Sequence, residues 1–187
     1  MNCEIMIVAE KQIQLKNGTA VTLRSPEASD AAAVNEHRRI TSEETYFMAR
    51  YPEELNFDGE AMKAQLDTVN RDDRDFGISA FYDGRLVADC RVSKLGPHIK
   101  YRHRGYFGIS IQKEFWGQGL GTAMLREAIR IAGENGFEQL ELGVFSDNPR
   151  AVHVYEKAGF QVCGVQPRAF KLKDGTYRDE IMMVKFL

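Results

Sequence analysis

Gly117-Gln118-Gly119-Leu120-Gly121-Thr122 sets glycines at alternate positions, and alternate glycines suit the backbone to binding an anion. Before it lies Tyr106-Phe107-Gly108-Ile109-Ser110-Ile111, an apolar, β-branched run of strand type; after it, Leu125, Ala128, Ile129 and Ala132 recur at helical spacing. The order is therefore strand, glycine turn, helix. Without β-carbons at 117, 119 and 121, successive N–H groups are free to face one ligand, and the first helical turn adds unpaired N–H groups and the positive end of its dipole. That suits phosphate, although a tight turn that uses glycine only for geometry looks the same. Spacing excludes two other phosphate loops. A dinucleotide fingerprint beginning at Gly117 would require glycine where Thr122 stands, and no Gly-Lys-Ser/Thr is present for a Walker loop.

A second group of polar side chains follows a strand. Asn148-Pro149 is the start signal of a helix that Gly159 ends, and Tyr155 carries a hydroxyl on it. Cys3, Cys90 and Cys163 are odd in number and widely separated, with no ligand spacing, so neither a disulfide framework nor a zinc site is indicated. A reactive thiolate at any of them would need a nearby activating base or cation that the sequence does not show.

The elements that must position these residues are marked by turn chemistry. Asn17-Gly18, Asp83-Gly84 and Asp174-Gly175 each separate two strand-like runs and predict hairpins, the last between Phe160 to Gln166 or Ala169 to Leu172 and Tyr177 to Leu187. Asp30 is a candidate cap for a helix running towards Arg39, and Asp58 for a second helix with Met62, Leu66 and Val69 on one face. Thr41 to Glu54 has no clean period and is expected as loop and short helix. Arg71-Asp72-Asp73-Arg74-Asp75 is expected as a solvated turn. Asn135-Gly136 stops the helix after the glycine loop, and Leu140, Leu142 and Val144 alternate into the next strand.

The chain has 187 residues, of which 43% are hydrophobic and 28% charged, and a formal net charge of −2. One domain spanning 1–187 is expected. No basic tract supports nucleic acid as a partner, and the early apolar run Ile5 to Ala9 is too short for a signal peptide or a membrane span. A cytoplasmic protein without membrane or nucleic-acid partners is expected.

The glycine loop resembles the coenzyme-A pyrophosphate loop of the Gcn5-related N-acetyltransferases (GNAT), in which Gln or Arg is followed after two residues by Gly, one residue, then Gly or Ala. Gly119 and Gly121 fit; Trp116 departs from the first position, with Gln118 inside the loop. Asn148-Pro149-Arg150-Ala151-Val152-His153-Val154-Tyr155-Glu156-Lys157-Ala158-Gly159-Phe160 resembles the family's second hallmark. A helix stop alone explains Gly159-Phe160 but not the loop ahead of it. The resemblance covers Tyr106 to Phe160 well and both ends loosely.

The resemblance implies an α/β (α+β) fold. Its sheet is mixed and mostly antiparallel, of six to seven strands with helices on both faces. Two central parallel strands, Tyr106 to Gln112 and Leu140 to Phe145, splay in a V that admits acetyl-coenzyme A as co-substrate. The helix from Thr122 to Asn135 is then the crossover that parallel strands require. The implied coenzyme contacts are Gly117, Gln118, Gly119, Leu120, Gly121 and Thr122 at the pyrophosphate, Ile109, Ser110 and Ile111 as amide donors to the tetrahedral oxyanion, and Asn148 along the coenzyme arm beside its capping role. Tyr155 is the implied general acid for the departing thiolate; no metal is implied. The acceptor would be a primary amine of a small molecule, polyamine, amino acid or peptide N-terminus; a non-catalytic acyl-coenzyme-A sensor is the alternative. Asp89, His103, Asp179 and Glu180 are all candidates for the base, and a homodimer is left open. The implied acceptor pocket is formed by Thr41 to Phe57 and Phe170 to Asp179. Glu43, Glu44, Glu53 and Glu54 there, interleaved with Tyr46, Phe47 and Tyr51, would suit a cationic amine.

Overall fold

Turn residues and alternating strands build one sheet, seen in a computed structural model that describes residues 7–187. Cys3 and the start of the Ile5 to Ala9 run lie outside the described residues. The elements are β1 (Lys11–Gln14), β2 (Ala20–Arg24), α1 (Ala31–Glu44), α2 (Gly59–Asn70), β3 (Phe76–Tyr82), β4 (Arg85–Lys94), β5 (Arg104–Ile111), α3 (Leu120–Glu134), β6 (Gln139–Phe145), α4 (Pro149–Lys157), β7 (Gln161–Lys171) and β8 (Tyr177–Phe186). The sheet has eight strands in the order β1-β2-β3-β4-β5-β6-β8-β7, against the six to seven expected; the short edge strand β1 and the long C-terminal hairpin both join it. Every neighbouring pair is antiparallel except β5 and β6.

That exception makes the gap. β5 and β6 pair only through Arg104↔Gln139, Gly105↔Leu140 and Tyr106↔Glu141, after which β5 stays with β4 to Ile111 while β6 stays with β8 to Phe145. The right-handed twist of each antiparallel half carries the strands apart. α3 is the crossover, and its buried stripe of Leu120, Met124, Leu125, Ala128, Ile131 and Ala132 joins Phe107, Leu140, Leu142 and Tyr155 in the larger core. α1 and α2 build a second core from Ala31, Val34, Met62 and Leu66 over Leu86.

Some local expectations change. The Asn17-Gly18 connection is longer than a two-residue turn, with Leu15 N–H bonded to Thr19 across it. Asp83 and Gly84 are both left-handed, at φ 48° and 74°, as a tight hairpin requires. Asp58 caps α2 by accepting from Glu60 and Ala61 N–H. Asp30 stands at the start of α1, but its carboxylate instead clamps the Arg24 guanidinium at 2.6 and 2.9 Å, and α1 runs past Arg39 to Glu44. The charged run 71–75 is a latch rather than a solvated turn. Arg74 donates to the carbonyls of Asn135, Gly136 and Arg102 and lies 4.2 Å over the Phe137 ring, while Asp72 holds Lys94 at 2.7 Å.

Candidate active site

The glycine loop presents a row of unused donors. Gly117 and Gly119 are left-handed (φ 75° and 90°), α3 begins at Leu120, and from Gly117 to Thr122 no backbone N–H donates to a protein acceptor among the described residues. The loop is braced from behind by the β1–β2 turn. Lys16 N–H donates to the Gln118 carbonyl (3.0 Å), Asn17 Nδ2 to Gln118 Oε1 (2.8 Å), and Gln118 Nε2 to the Glu114 carbonyl (2.6 Å). The Gln118 side chain is thus committed to the scaffold while its N–H stays free. A β-carbon on Gly121 would come within 3.0 Å of Ile111 Cδ1, so glycine there lets the loop approach the end of β5.

Strand parity decides which β5 amides reach the gap. Gln112 N–H bonds to the Val87 carbonyl and Leu95 N–H to the Arg104 carbonyl. Even-numbered residues of β5 therefore exchange bonds with β4, and Phe107, Ile109 and Ile111 turn their N–H and C=O groups towards β6. The Ile111 carbonyl is taken by the Trp116 indole N–H (2.8 Å). Ser110 is a correction to the amide set: its backbone pairs with Asp89, and its Oγ lies 2.8 Å from His37 Nε2 on α1. Gln112 Nε2 lies 3.3 Å from His37 Nδ1 and donates to the Leu86 carbonyl at 2.9 Å. With Nδ1 accepting from that amide, Nε2 carries the proton and donates to Ser110. Burial, with Arg38 beside it, pushes the His37 pKa down to about 4.

Asn148 caps α4 by accepting from Ala151 N–H (3.2 Å). Helical spacing carries Tyr155 inwards, edge-on to Phe107 at 6.3 Å and tilted against Phe160 at 5.9 Å. Its ring is buried, yet its hydroxyl has no protein partner among the described residues and is not enclosed. Burial, then the Tyr106 and Cys90 side chains, raise its pKa, so the phenol keeps its proton at neutral pH. Tyr106 crosses the root of the gap, its Oη accepting from Gly143 N–H (3.2 Å). The Glu180 carboxylate of β8 sits against Gly143 where a side chain would otherwise stand. Of the four acid–base candidates, Glu180 is the one at this root. The His103 carbonyl bonds Glu138 and Gln139 N–H at the far end of β5, Asp179 accepts from Arg168 N–H (2.7 Å), and Asp89 accepts from Ser79 Oγ (2.7 Å) with burial raising its pKa.

Thr41 to Phe57 and Phe170 to Asp179 do meet. Tyr51 Oη accepts from Lys173 N–H (3.0 Å), Phe145 stacks on Phe170 at 3.9 Å, and Tyr46 and Phe47 pack on Phe145. Asp147 joins Tyr46 Oη (2.8 Å) to Arg178 Nε (2.6 Å). The acidic residues do not form the open cation lining expected of them. Glu43 holds Arg39 at 2.7 Å, Glu44 accepts from Lys113 N–H (2.7 Å), Glu53 pairs with Lys173, and Glu54 accepts from Tyr51 N–H (2.8 Å). Sequence reasoning passed over Tyr106, His37, Arg38 and Arg91. Alternation marks two of them: Tyr106, Gly108, Ser110 and Gln112 interrupt an apolar strand at every second position, as Asp89 and Arg91 do in β4, whereas nothing within α1 singles out His37 or Arg38.

A sheet that opens between its two parallel strands, with a donor-lined glycine loop at its mouth, defines a class of coenzyme-binding acyl-transfer fold. The model of the acetyltransferase (GNAT) family matches residues 32–160. The chain belongs to that family. It is 33% identical over 110 residues to the L-amino acid N-acetyltransferase AaaT of Escherichia coli (strain K12), covering 58% of this chain and 66% of that protein. It is 35% identical over 112 residues to the spermidine N(1)-acetyltransferase of the same strain, covering 54% of this chain and 58% of that protein. The chain thus spans less than two thirds of the length of these relatives. A crystal structure of the acetyltransferase of GNAT family from Streptococcus pneumoniae superposes with a TM-score of 0.84 at 30% identity, over 89% of this chain and 99% of that one. No helix among the described residues is long and apolar enough to cross a membrane.

Proposed function

We propose that this chain is an acetyl-coenzyme-A-dependent N-acetyltransferase that acetylates a primary amine by direct attack within a ternary complex. The observation that carries the reading is the run of free N–H groups from Gly117 to Thr122 at the mouth of the gap, and the Tyr155 hydroxyl, which has no protein partner among the described residues, is read as the acid beside it. On this reading the loop holds the pyrophosphate of acetyl-coenzyme A and the thioester lies between β5 and β6. Glu180 takes a proton from the acceptor ammonium. The amine nitrogen then attacks the thioester carbon, and the oxyanion is held by the Ile109 or Ile111 N–H. As the C–S bond breaks, Tyr155 donates its proton to the sulfur, releasing coenzyme A as a neutral thiol. The tyrosinate then regains a proton from the newly formed, positively charged amide precursor, which leaves the amide neutral. Tyr106, bound to Gly143, fixes the root of the gap so that donors and acid keep their spacing.

The names of the relatives, one acting on L-amino acids and one on spermidine, support an amine acceptor. The test is free-thiol release from acetyl-coenzyme A across amino acids, polyamines, alkylamines and peptide N-termini. Release matched by acetylated amine supports the proposal. Tight coenzyme binding with no thiol release from any amine would instead favour the acyl-coenzyme-A sensor.

A further inference from the structure

Three arginines lie close enough to feel one another's charge on the α1 side of β4 and β5. Arg38 follows His37 on α1, and the His37–Ser110 hydrogen bond of 2.8 Å holds that stretch of helix over β5. Arg91 of β4 stands directly opposite Gly108 of β5, and strand alternation puts both on the same face as Asp89 and Ser110. Arg50, in the loop after α1, adds its charge to the same place. Above Gly108 the space is open: a β-carbon built there would meet nothing within 4 Å.

These charges are poorly answered. Arg91 Nε is shut off from solvent with no hydrogen-bond partner, and its guanidinium reaches Asp75 only at 3.5 Å. Among the described residues neither Arg38 nor Arg50 makes an ion pair or donates a side-chain hydrogen bond. Asp89 is a second carboxylate near them, and it already accepts from Ser79. A few residues along β5, at the root of the gap, the signs reverse: Glu180 lies against Gly143, beside the Tyr106 hydroxyl.

We propose that the acceptor carries an anionic group beside its amine, a carboxylate in the case of an amino acid, and that Arg91 and Arg38 bind this group above Gly108 with Arg50 on the open side. The guanidinium fork matches a carboxylate with paired hydrogen bonds, offered here by the terminal nitrogens of Arg91 and Arg38, since Arg91 Nε itself is shut off from solvent. The amine then points along β5 towards Glu180. A polycation is disfavoured, because its charges would face three arginines. The assignment rests on the N-acetyltransferase reading of this gap and narrows its acceptor.

The experiment compares amino acids with their own carboxamides and their decarboxylated amines, using thiol release from acetyl-coenzyme A with the parent protein, Arg91→Gln and Arg38→Gln. The expected result is a preference for the carboxylate of about 10-fold or more in kcat/KM. In either variant a rise of about 10- to 100-fold in the amino-acid KM should abolish it, leaving the acetyl-coenzyme A KM unchanged. Equal use of amide and acid, preference for a polyamine, or an unchanged KM in both variants overturns it. If no amine releases thiol, the catalytic reading fails and binding decides the anion site. N-acetylalanine, N-acetylphenylalanine and N-acetylglutamate are then titrated calorimetrically against their carboxamides into protein saturated with coenzyme A. Carboxylate-selective binding lost in Arg91→Gln upholds the site; the absence of that selectivity overturns it.

Discussion

His37 should make the stability of this protein fall in mild acid. Its ring is 1% exposed, its Nδ1 faces the Gln112 amide, and its Nε2 hydrogen is committed to Ser110, so a second proton has nowhere to be stabilised. Burial first and Arg38 second hold its pKa at about 4, against 6.5 when exposed. Between those values the unfolded chain binds the proton and the folded one does not, so stability is full above about pH 6.5 and is lost as pH falls towards 4. The loss attributable to His37 is about 2 kcal/mol at pH 5 and about 3 kcal/mol at pH 4. The raised Asp89 carboxyl acts in the opposite direction, and it is common to parent and variant. Urea unfolding of the parent and of His37→Gln across pH 4 to 8 isolates the difference. The variant is expected to be less stable at pH 8 but to have the flatter curve, the two converging by about 2 kcal/mol at pH 5. Parallel curves, or a His37 ring seen by NMR to titrate near 6.5, would refute the reasoning.

Tyr155→Phe keeps the ring against Phe107 and removes the acid; turnover should fall about 10- to 1000-fold with coenzyme affinity little changed, and a rate within about twofold of the parent would return Tyr155 to packing alone. Gly143→Ala sets a methyl where the Glu180 carboxylate lies, so both it and Glu180→Gln should lower kcat while sparing acetyl-coenzyme A binding; an unaltered kcat in both excludes Glu180 as base. Arg74→Ala removes the latch between the end of α3 and the start of β5 and should cost about 2 kcal/mol in urea unfolding, with the coenzyme Kd unchanged once folded.

Most of what the residues announced was local. Asp83-Gly84, Asp58 and Asn148 each act within a few residues, and turn and cap chemistry at that range is decided by the backbone they sit in. The glycine loop was legible for the same reason, since the left-handed φ of Gly117 and Gly119 is a requirement that few other residues meet. What stayed hidden depended on pairing between distant segments. The fate of Ser110 turns on whether even or odd residues of β5 bond to β4, which nothing within β5 itself decides. Glu44 and Glu53 read as free loop acids because their partners, Lys113 and Lys173, lie far along the chain. The arginine cluster joins α1, its following loop and β4, and only the packing of α1 on the sheet brings Arg38, Arg50 and Arg91 together.

The measurement that bears most directly on the coenzyme site is calorimetric titration of coenzyme A into the parent and into Thr122→Glu. A carboxylate in the first turn of α3 favours the helix through its dipole, so the variant stays folded, but it sets a like charge against phosphate beside the free N–H groups. Gly119→Glu repeats the test with the added strain of a side chain at φ 90°. Saturable binding by the parent and a loss of at least about 10-fold in affinity in Thr122→Glu is the predicted result. Undiminished affinity in both variants, with their folds intact, would contradict the assignment of the Gly117 to Thr122 loop to the coenzyme phosphates.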